Sequence, residues 1–206
     1  GGPGRDTSLR EIPSATLIIP CLTLLPVGGQ DMPEGSPSPQ RIQAEEDARR
    51  RTVRGLIKLL QSRHLDERWK AAEALERVGD ATAVQPLIDA LNDPFVDVSW
   101  IAAKTLGTIG NGRAYDPLLK ALSSEEKWLR IGAAIGLGRL GDPRAVPALI
   151  EKMKDRDALV RKHAAWALGR LGDKSALEVL KEATKDPDRR VRESAGEALA
   201  RLEAAS

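Results

Sequence analysis

Side chains that carry most protein chemistry are scarce in this chain. It has one cysteine, Cys21, and two histidines, His64 and His163, among 206 residues. A single cysteine cannot form an internal disulfide, and two histidines so far apart give no metal-ligand cluster of usable spacing. His163 also has no nearby constellation of Ser, Cys or Asp in its repeat with which it could act as a catalytic base. We therefore expect no catalytic residue, no metal and no cofactor, and the chain is predicted not to be an enzyme.

Charge and hydropathy argue against two classes of partner. The 32 basic and 30 acidic residues are finely interspersed and leave a net charge of +2. Such a surface lacks the single-sign field that nucleic acid or anionic lipid attracts. The continuous apolar run at residues 16–27 is too short for a membrane span and is broken by Pro20 and Pro26. We expect no nucleic acid, no membrane and a cytoplasmic location, which the single cysteine also fits.

The chain divides into two parts of unlike composition. Residues 1–40 hold 7 of the 13 prolines and 6 of the 18 glycines, so no helix of useful length is expected there. From Arg41 onward the chain is rich in Ala, Leu, Arg, Glu and Lys with helical periodicity. We therefore predict an extended or disordered segment at 1–40 and a helical repeat array at 41–206.

A glycine followed by Asp or Asn recurs every 31 residues in the second part, at Gly79, Gly110, Gly141 and Gly172. Two alanines and a leucine precede each glycine at fixed distances, and another leucine follows it. Glycine supplies a left-handed helix C-cap, and the Asp or Asn caps the next helix. Each unit is thus predicted to be two short amphipathic helices. Five stacked hairpins are expected, at roughly 41–78, 81–109, 113–140, 144–171 and 175–202.

These units resemble the HEAT-like repeats named after phycobilisome (bilin) lyases. The motif GDPRAVPALI at Gly141–Ile150 and the pattern V-R-x-x-A-A-x-A-L-G at Val160–Gly169 carry the resemblance, which covers about 160 of the 206 residues. It implies an all-α solenoid whose second helices line the concave face, a face that artificial libraries of this repeat vary to bind proteins. Glu67, Ser99 and Glu203 replace the usual Val, Arg and Gly. These departures suggest an atypical first repeat and a C-terminal cap.

All four tryptophans fall on one side of the predicted second helices. Counted from the terminal glycine, they occupy positions −13, −10 and −6, a spacing of i, i+3 and i+7. At about 100° per residue, this side lies on the order of 150° from the core stripe of Val98, Ala102 and Leu106. With charged residues at its edges, it is predicted to be a groove that binds a protein or peptide. The predicted groove residues are Trp69, Trp100, Ile101, Trp128, Ile131, Ile135, Leu159, His163 and Trp166. Any one tryptophan could instead fill space between adjacent repeats.

The first segment offers a candidate ligand for this groove. Its proline-flanked apolar run at 14–27 has the composition of an extended peptide ligand, and residues 28–40 would serve as the linker. The predicted intramolecular ligand residues are Leu17, Ile18, Ile19, Leu22, Leu24 and Leu25. The alternative is a disordered tail.

The preferred function is therefore a non-enzymatic scaffold that binds a protein or an extended peptide. The resemblance implies an alternative, a bilin lyase or isomerase subunit that holds a linear tetrapyrrole for attachment to a cysteine. Binding of DNA is the least favoured function, because Trp and Ile stand where a Lys/Arg lining is needed. Arg130, Arg161 and Arg192 recur at the same repeat position and are predicted to make inter-repeat ion pairs or hydrogen bonds.

Overall fold

The structure, a computed structural model, describes residues 38–204. This part of the chain forms helices joined by turns and contains no strand, which confirms the predicted all-α class. A 3-10 turn of three residues leads into each of α3, α5, α7 and α9. The helices are α1 (Pro39–Leu60), α2 (Leu65–Val78), α3 (Val84–Ala90), α4 (Val96–Ile109), α5 (Tyr115–Ala121), α6 (Lys127–Leu140), α7 (Val146–Lys152), α8 (Ala158–Leu171), α9 (Leu177–Ala183) and α10 (Arg189–Ala204).

Consecutive helices pair into five hairpins, and the hairpins stack into an α-solenoid. The second helices α2, α4, α6, α8 and α10 lie side by side in chain order, and the first helix of each hairpin packs against the second. The predicted solenoid of five hairpins is confirmed. None of the helices between Ser38 and Ala204 has the length and apolarity needed to cross a membrane.

Glycine ends three of the second helices in the predicted left-handed conformation. The φ values are 72°, 76° and 72° at Gly110, Gly141 and Gly172. At Gly79 the left-handed prediction is wrong, because this residue leaves α2 extended, with φ −61° and ψ 154°. A side chain is still disfavoured at Gly79, since its Cβ would lie 2.4 Å from the carbonyl oxygen of Leu75.

The repeated leucines and alanines form a continuous core. The leucine four residues before each turn glycine is fully buried, as are both alanines of the pair before it. Full burial of one leucine side chain stabilises a fold by about 1.5–3 kcal/mol. The leucines are Leu75, Leu106, Leu137 and Leu168, and the alanines are Ala71, Ala72, Ala102, Ala103, Ala133, Ala134, Ala164 and Ala165. Because each copy is in phase, the array has one uninterrupted interior.

Glycines allow α4 and α6 to approach closely. A Cβ on Gly107 would lie 2.2 Å from the carbonyl oxygen of Gly136, and one on Gly132 would lie 2.7 Å from that of Trp100. The backbones of the two helices are therefore in direct contact. This close packing leaves little open surface between neighbouring second helices.

Arginines bridge adjacent hairpins. Arg130 Nε lies 2.9 Å from Asp155 Oδ2, and Arg161 Nε lies 2.8 Å from Asp186 Oδ2. These two arginines confirm the predicted inter-repeat ion pairs. The prediction is wrong for Arg192, whose guanidinium donates to backbone carbonyls of its own hairpin.

Candidate functional site

The structure buries part of the predicted groove. Ile101, Ile131 and Ile135 are only 4%, 2% and 9% exposed, so the prediction that they face outward is wrong. Each second helix has another second helix on either side, except at the ends of the array. A residue to one side of the core stripe therefore contacts the neighbouring helix rather than solvent.

Trp100 fills space between α4 and α6. It packs on the buried cluster of Ile131, Ile135 and Val160, and its buried indole Nε1 has no hydrogen-bond partner among residues 38–204. Gly132 makes room for the ring, since a Cβ there would lie 3.0 Å from Trp100 Cδ1. The space-filling alternative therefore applies to this tryptophan.

The other three tryptophans differ in exposure. Trp69 is half-buried against the main core. Trp128, in the first turn of α6, is 42% exposed, and Lys127 Nζ lies 5.1 Å from its ring centroid. Trp166 is half-buried and packs, with Leu159, on the same cluster as Trp100. The four rings therefore do not form one continuous open stripe.

A pocket of about 480 Å³ opens on the faces of α4, α6, α8 and α10. It brings together three predicted groove residues, Ile135, His163 and Trp166. The other lining residues are Lys104, Arg139, Lys162, Arg190, Glu193, Ser194 and Glu197. All of these except Ser194 are charged, so a polar rim surrounds the apolar contact.

Lys104 and Lys162 were missed by sequence reasoning, although their repeat positions gave a signal. Lys104 shares the −6 position of Trp166, and Lys162 shares the −10 position of Trp69 and Trp100. Lysines at tryptophan positions therefore belong to the same face. The predicted groove was an apolar stripe, and these two charged residues were therefore not included in it.

His163 is uncharged at neutral pH in this pocket. Burial foremost, with the nearby charge of Lys162, lowers its pKa to about 4. A neutral imidazole offers one hydrogen-bond donor and one acceptor. His163 can therefore contact a polar or an apolar group without adding charge.

A charged network fixes one side of the pocket. Arg139 hydrogen-bonds to Glu76 on α2 and, at 2.9 Å, to Thr108 Oγ1 on α4, so its side chain spans α4. Lys104 Nζ lies 3.7 Å from Glu76 Oε2 and 4.7 Å from the Trp100 ring centroid. Lys162, in contrast, has no ion-pair partner within residues 38–204. It is a cation free to meet a ligand.

Residues 38–204 contain no group of three or more His, Cys, Asp or Glu side chains that could hold a metal ion. The predicted ligand segment at 14–27 lies outside the described residues. Its docking stays a prediction.

Comparison with solved structures shows the same architecture elsewhere. The chain is similar to the complex of CpcE and CpcF of phycocyanin lyase from Nostoc sp. PCC7120, with a TM-score of 0.65 and 25% identity over 88% of this chain and 70% of that one. It is similar to Escherichia coli YibA, with a TM-score of 0.58 and 25% identity over 80% of this chain and 58% of that one. A designed armadillo repeat protein in complex with the peptide (KR)4 shares the fold, with a TM-score of 0.50 and 19% identity over 82% and 95% of the two chains.

The likeness to CpcE and CpcF corrects one expectation. The sequence predicted that this chain is not an enzyme, and that prediction is contradicted because the similar structure belongs to a lyase. The prediction rested on the scarcity of catalytic side chains, and it considered only residues within one chain. The same likeness confirms the resemblance to the bilin-lyase type of repeat.

Family comparison agrees with the fold. No curated protein sequence matches the chain. The family model for HEAT repeats matches residues 53–126 and 115–200, which together take in most of the solenoid. From this match and the five stacked hairpins, we conclude that the chain belongs to the HEAT repeat family.

Proposed function

We propose that this chain is a scaffold that binds a protein segment on the face of its second helices, with the pocket around Trp166 as the main contact. The observation that carries the proposal is the pocket of about 480 Å³, which combines Ile135, His163 and Trp166 with charged side chains. Protein interfaces commonly anchor an aromatic contact within a polar rim.

The lining residues indicate the chemistry of the ligand. Trp166 and Ile135 favour an apolar side chain, which would lose its hydration against them. Lys162 and Arg190 can bind a carboxylate or a carbonyl oxygen, and Glu193 and Glu197 can accept from backbone N–H groups. We infer an extended segment with an apolar anchor and at least one acidic residue beside it.

Selection from a displayed peptide library tests this proposal. Selected peptides are expected to bind the intact chain and to lose at least about tenfold in affinity on Trp166→Ala, because truncating an interface tryptophan commonly costs 2 kcal/mol or more. Trp128→Ala is the matched control, since Trp128 lies outside the pocket.

A second variant guards against misfolding of Trp166→Ala. Lys162→Glu changes a lining side chain that has no ion pair in the described part of the chain, so the fold is expected to survive. It should weaken acidic peptides and spare neutral ones. Peptides that bind both variants as well as the intact chain would rule out this pocket as the site.

A second candidate function follows from the likeness to the phycocyanin lyase complex. A linear tetrapyrrole carries a conjugated apolar body and carboxylate groups. Trp166 could contact the body, and Lys104, Arg139 and Lys162 stand near enough to the same pocket to bind the carboxylates. In this case the chain would be one subunit of a lyase rather than a peptide scaffold.

Absorbance spectroscopy separates the two candidates. Adding the chain to biliverdin is expected to shift and sharpen the visible band if the pocket holds the tetrapyrrole, and Lys162→Glu should reduce the shift. An unchanged spectrum for biliverdin and for phycocyanobilin, together with tight binding of selected peptides, would leave the scaffold function.

A further inference from the structure

The inter-repeat arginines share one geometry in three seams of the solenoid, where a seam is the interface between two adjacent hairpins. In each pair, Nε and Nη2 of the arginine bind both carboxylate oxygens of an aspartate in the next hairpin. Nη1 donates to a backbone carbonyl in the loop of the arginine's own hairpin. The pairs are Arg68–Asp93, Arg130–Asp155 and Arg161–Asp186, each 25 residues apart.

The remaining internal seam lacks both partners. Ser99 occupies the arginine position in the second hairpin, and Ser124 occupies the aspartate position 25 residues later. Arginine and aspartate are therefore present together or missing together at every seam within the array. A buried guanidinium without its carboxylate is costly, which explains why neither occurs alone.

Arg192 departs from this rule. Its Nη1 donates to the carbonyls of Asp186 and Pro187 at 2.7 and 2.9 Å, as the other arginines do to their own loops. No carboxylate between residues 38 and 204 pairs with it. The half-buried guanidinium is thus set for a bidentate partner from outside the described array.

The outward side of α10 has the small residues that elsewhere accept the next helix. Gly169 on α8 meets α10 so closely that a Cβ there would lie 2.7 Å from Ala198. Ala200 stands at the corresponding position of α10 and is exposed, as is Gly196, which has open space around its Cα. This side therefore has the shape of an interior seam with its neighbour removed.

We infer that the outer side of α10 docks a helical hairpin of another polypeptide, one that carries an aspartate in the loop between its two helices. That aspartate would bind Arg192 as Asp186 binds Arg161. A separate polypeptide is favoured because Glu203 stands where glycine ends the earlier second helices, and α10 remains helical past that position to Ala204. This surface is distinct from the pocket around Trp166 and does not rest on the proposed function.

A fusion protein tests this docking. The full chain of 206 residues is joined, through a flexible Gly/Ser linker of about 20 residues, to a second copy of residues 143–172, which form the hairpin of α7 and α8, so that α10 occurs only once in the fusion. The copy presents Asp155 in its loop, and the linker holds it at about millimolar effective concentration. Hydrogen exchange of the α10 amides is then compared with that of the unfused chain. Docking is expected to slow this exchange by about tenfold or more.

Single substitutions identify the contact. Arg192→Ala in the chain, or Asp155→Ala in the copy, should return α10 exchange to the unfused rate, and the double variant should be no worse than either single variant. Arg201→Ala is the charge-matched control; Arg201 shares the repeat position of Arg170, which donates to Gly138 in the preceding hairpin. Unchanged α10 exchange in the fusion would overturn the proposal, and so would protection that survives Arg192→Ala.

Discussion

Replacing Arg130 with alanine is expected to lower the free energy of unfolding by about 3–5 kcal/mol. The side chains of Arg130 and Asp155 are only 5% and 7% exposed. The arginine makes four hydrogen bonds, two to Asp155 and one each to the carbonyls of Ser124 and Glu125. Its removal leaves the Asp155 carboxylate buried without its counter-charge, and that desolvated charge accounts for most of the loss.

Urea denaturation followed by far-UV circular dichroism measures this loss. Arg156→Ala is the control, because Arg156 pairs with Glu125 at 3.4 Å while both side chains are exposed by 76% and 94%. An exposed pair of this kind contributes about 0–1 kcal/mol. A double-mutant cycle with Asp155→Ala isolates the pairwise coupling. Equal losses for Arg130→Ala and Arg156→Ala would show that burial does not make the inter-repeat pair strong.

Three further predictions concern the interface between the second and third hairpins, the half-buried His163 and the first segment. Ser99→Arg and Ser124→Asp should each destabilise the fold alone. Together they should couple favourably by about 0.5–3 kcal/mol, because the two substitutions restore the missing ion pair. Additive effects in urea denaturation would contradict this prediction. The pKa of His163 is lowered to about 4, below the value of about 6.5 expected on unfolding, so the unfolded chain binds a proton first as the pH falls. The free energy of unfolding should therefore decrease by about 1–3 kcal/mol between roughly pH 7 and pH 4. His163→Gln should make this decrease smaller. An unchanged pH profile for His163→Gln would contradict the prediction. Deleting residues 1–37 should change tryptophan emission if segment 14–27 docks on the array, whereas an identical spectrum and identical melting would exclude that hypothesis.

The repeat phase made much of the fold predictable from sequence. Because a turn glycine, a pair of alanines and a leucine recur in register, the hairpins and their core residues could be placed from the sequence alone. The inter-repeat pairs of Arg130 and Arg161 followed in the same way, whereas the prediction was wrong for Arg192 and did not include Arg68. Local sequence was sufficient here because each feature depends on one hairpin and its immediate neighbour.

The burial of side chains on the second-helix face could not be predicted in the same way. Whether Ile131 faces solvent depends on how closely α4 and α6 approach, and this is set by Gly107 meeting Gly136 across the seam. A helical wheel treats each helix alone and contains no such distance. For the same reason the sequence predicted an open stripe where the structure has a separate pocket around Trp166.

Nuclear magnetic resonance of the indole N–H groups shows whether a bound peptide contacts Trp166. The chain has four tryptophans, so four indole signals can be assigned with single Trp→Phe variants. On addition of a selected peptide, we expect the Trp166 signal to move and the signal of Trp128, which lies outside the pocket, to stay in place. A shift of the Trp128 signal with no change at Trp166 would contradict the assignment of this pocket as the binding site.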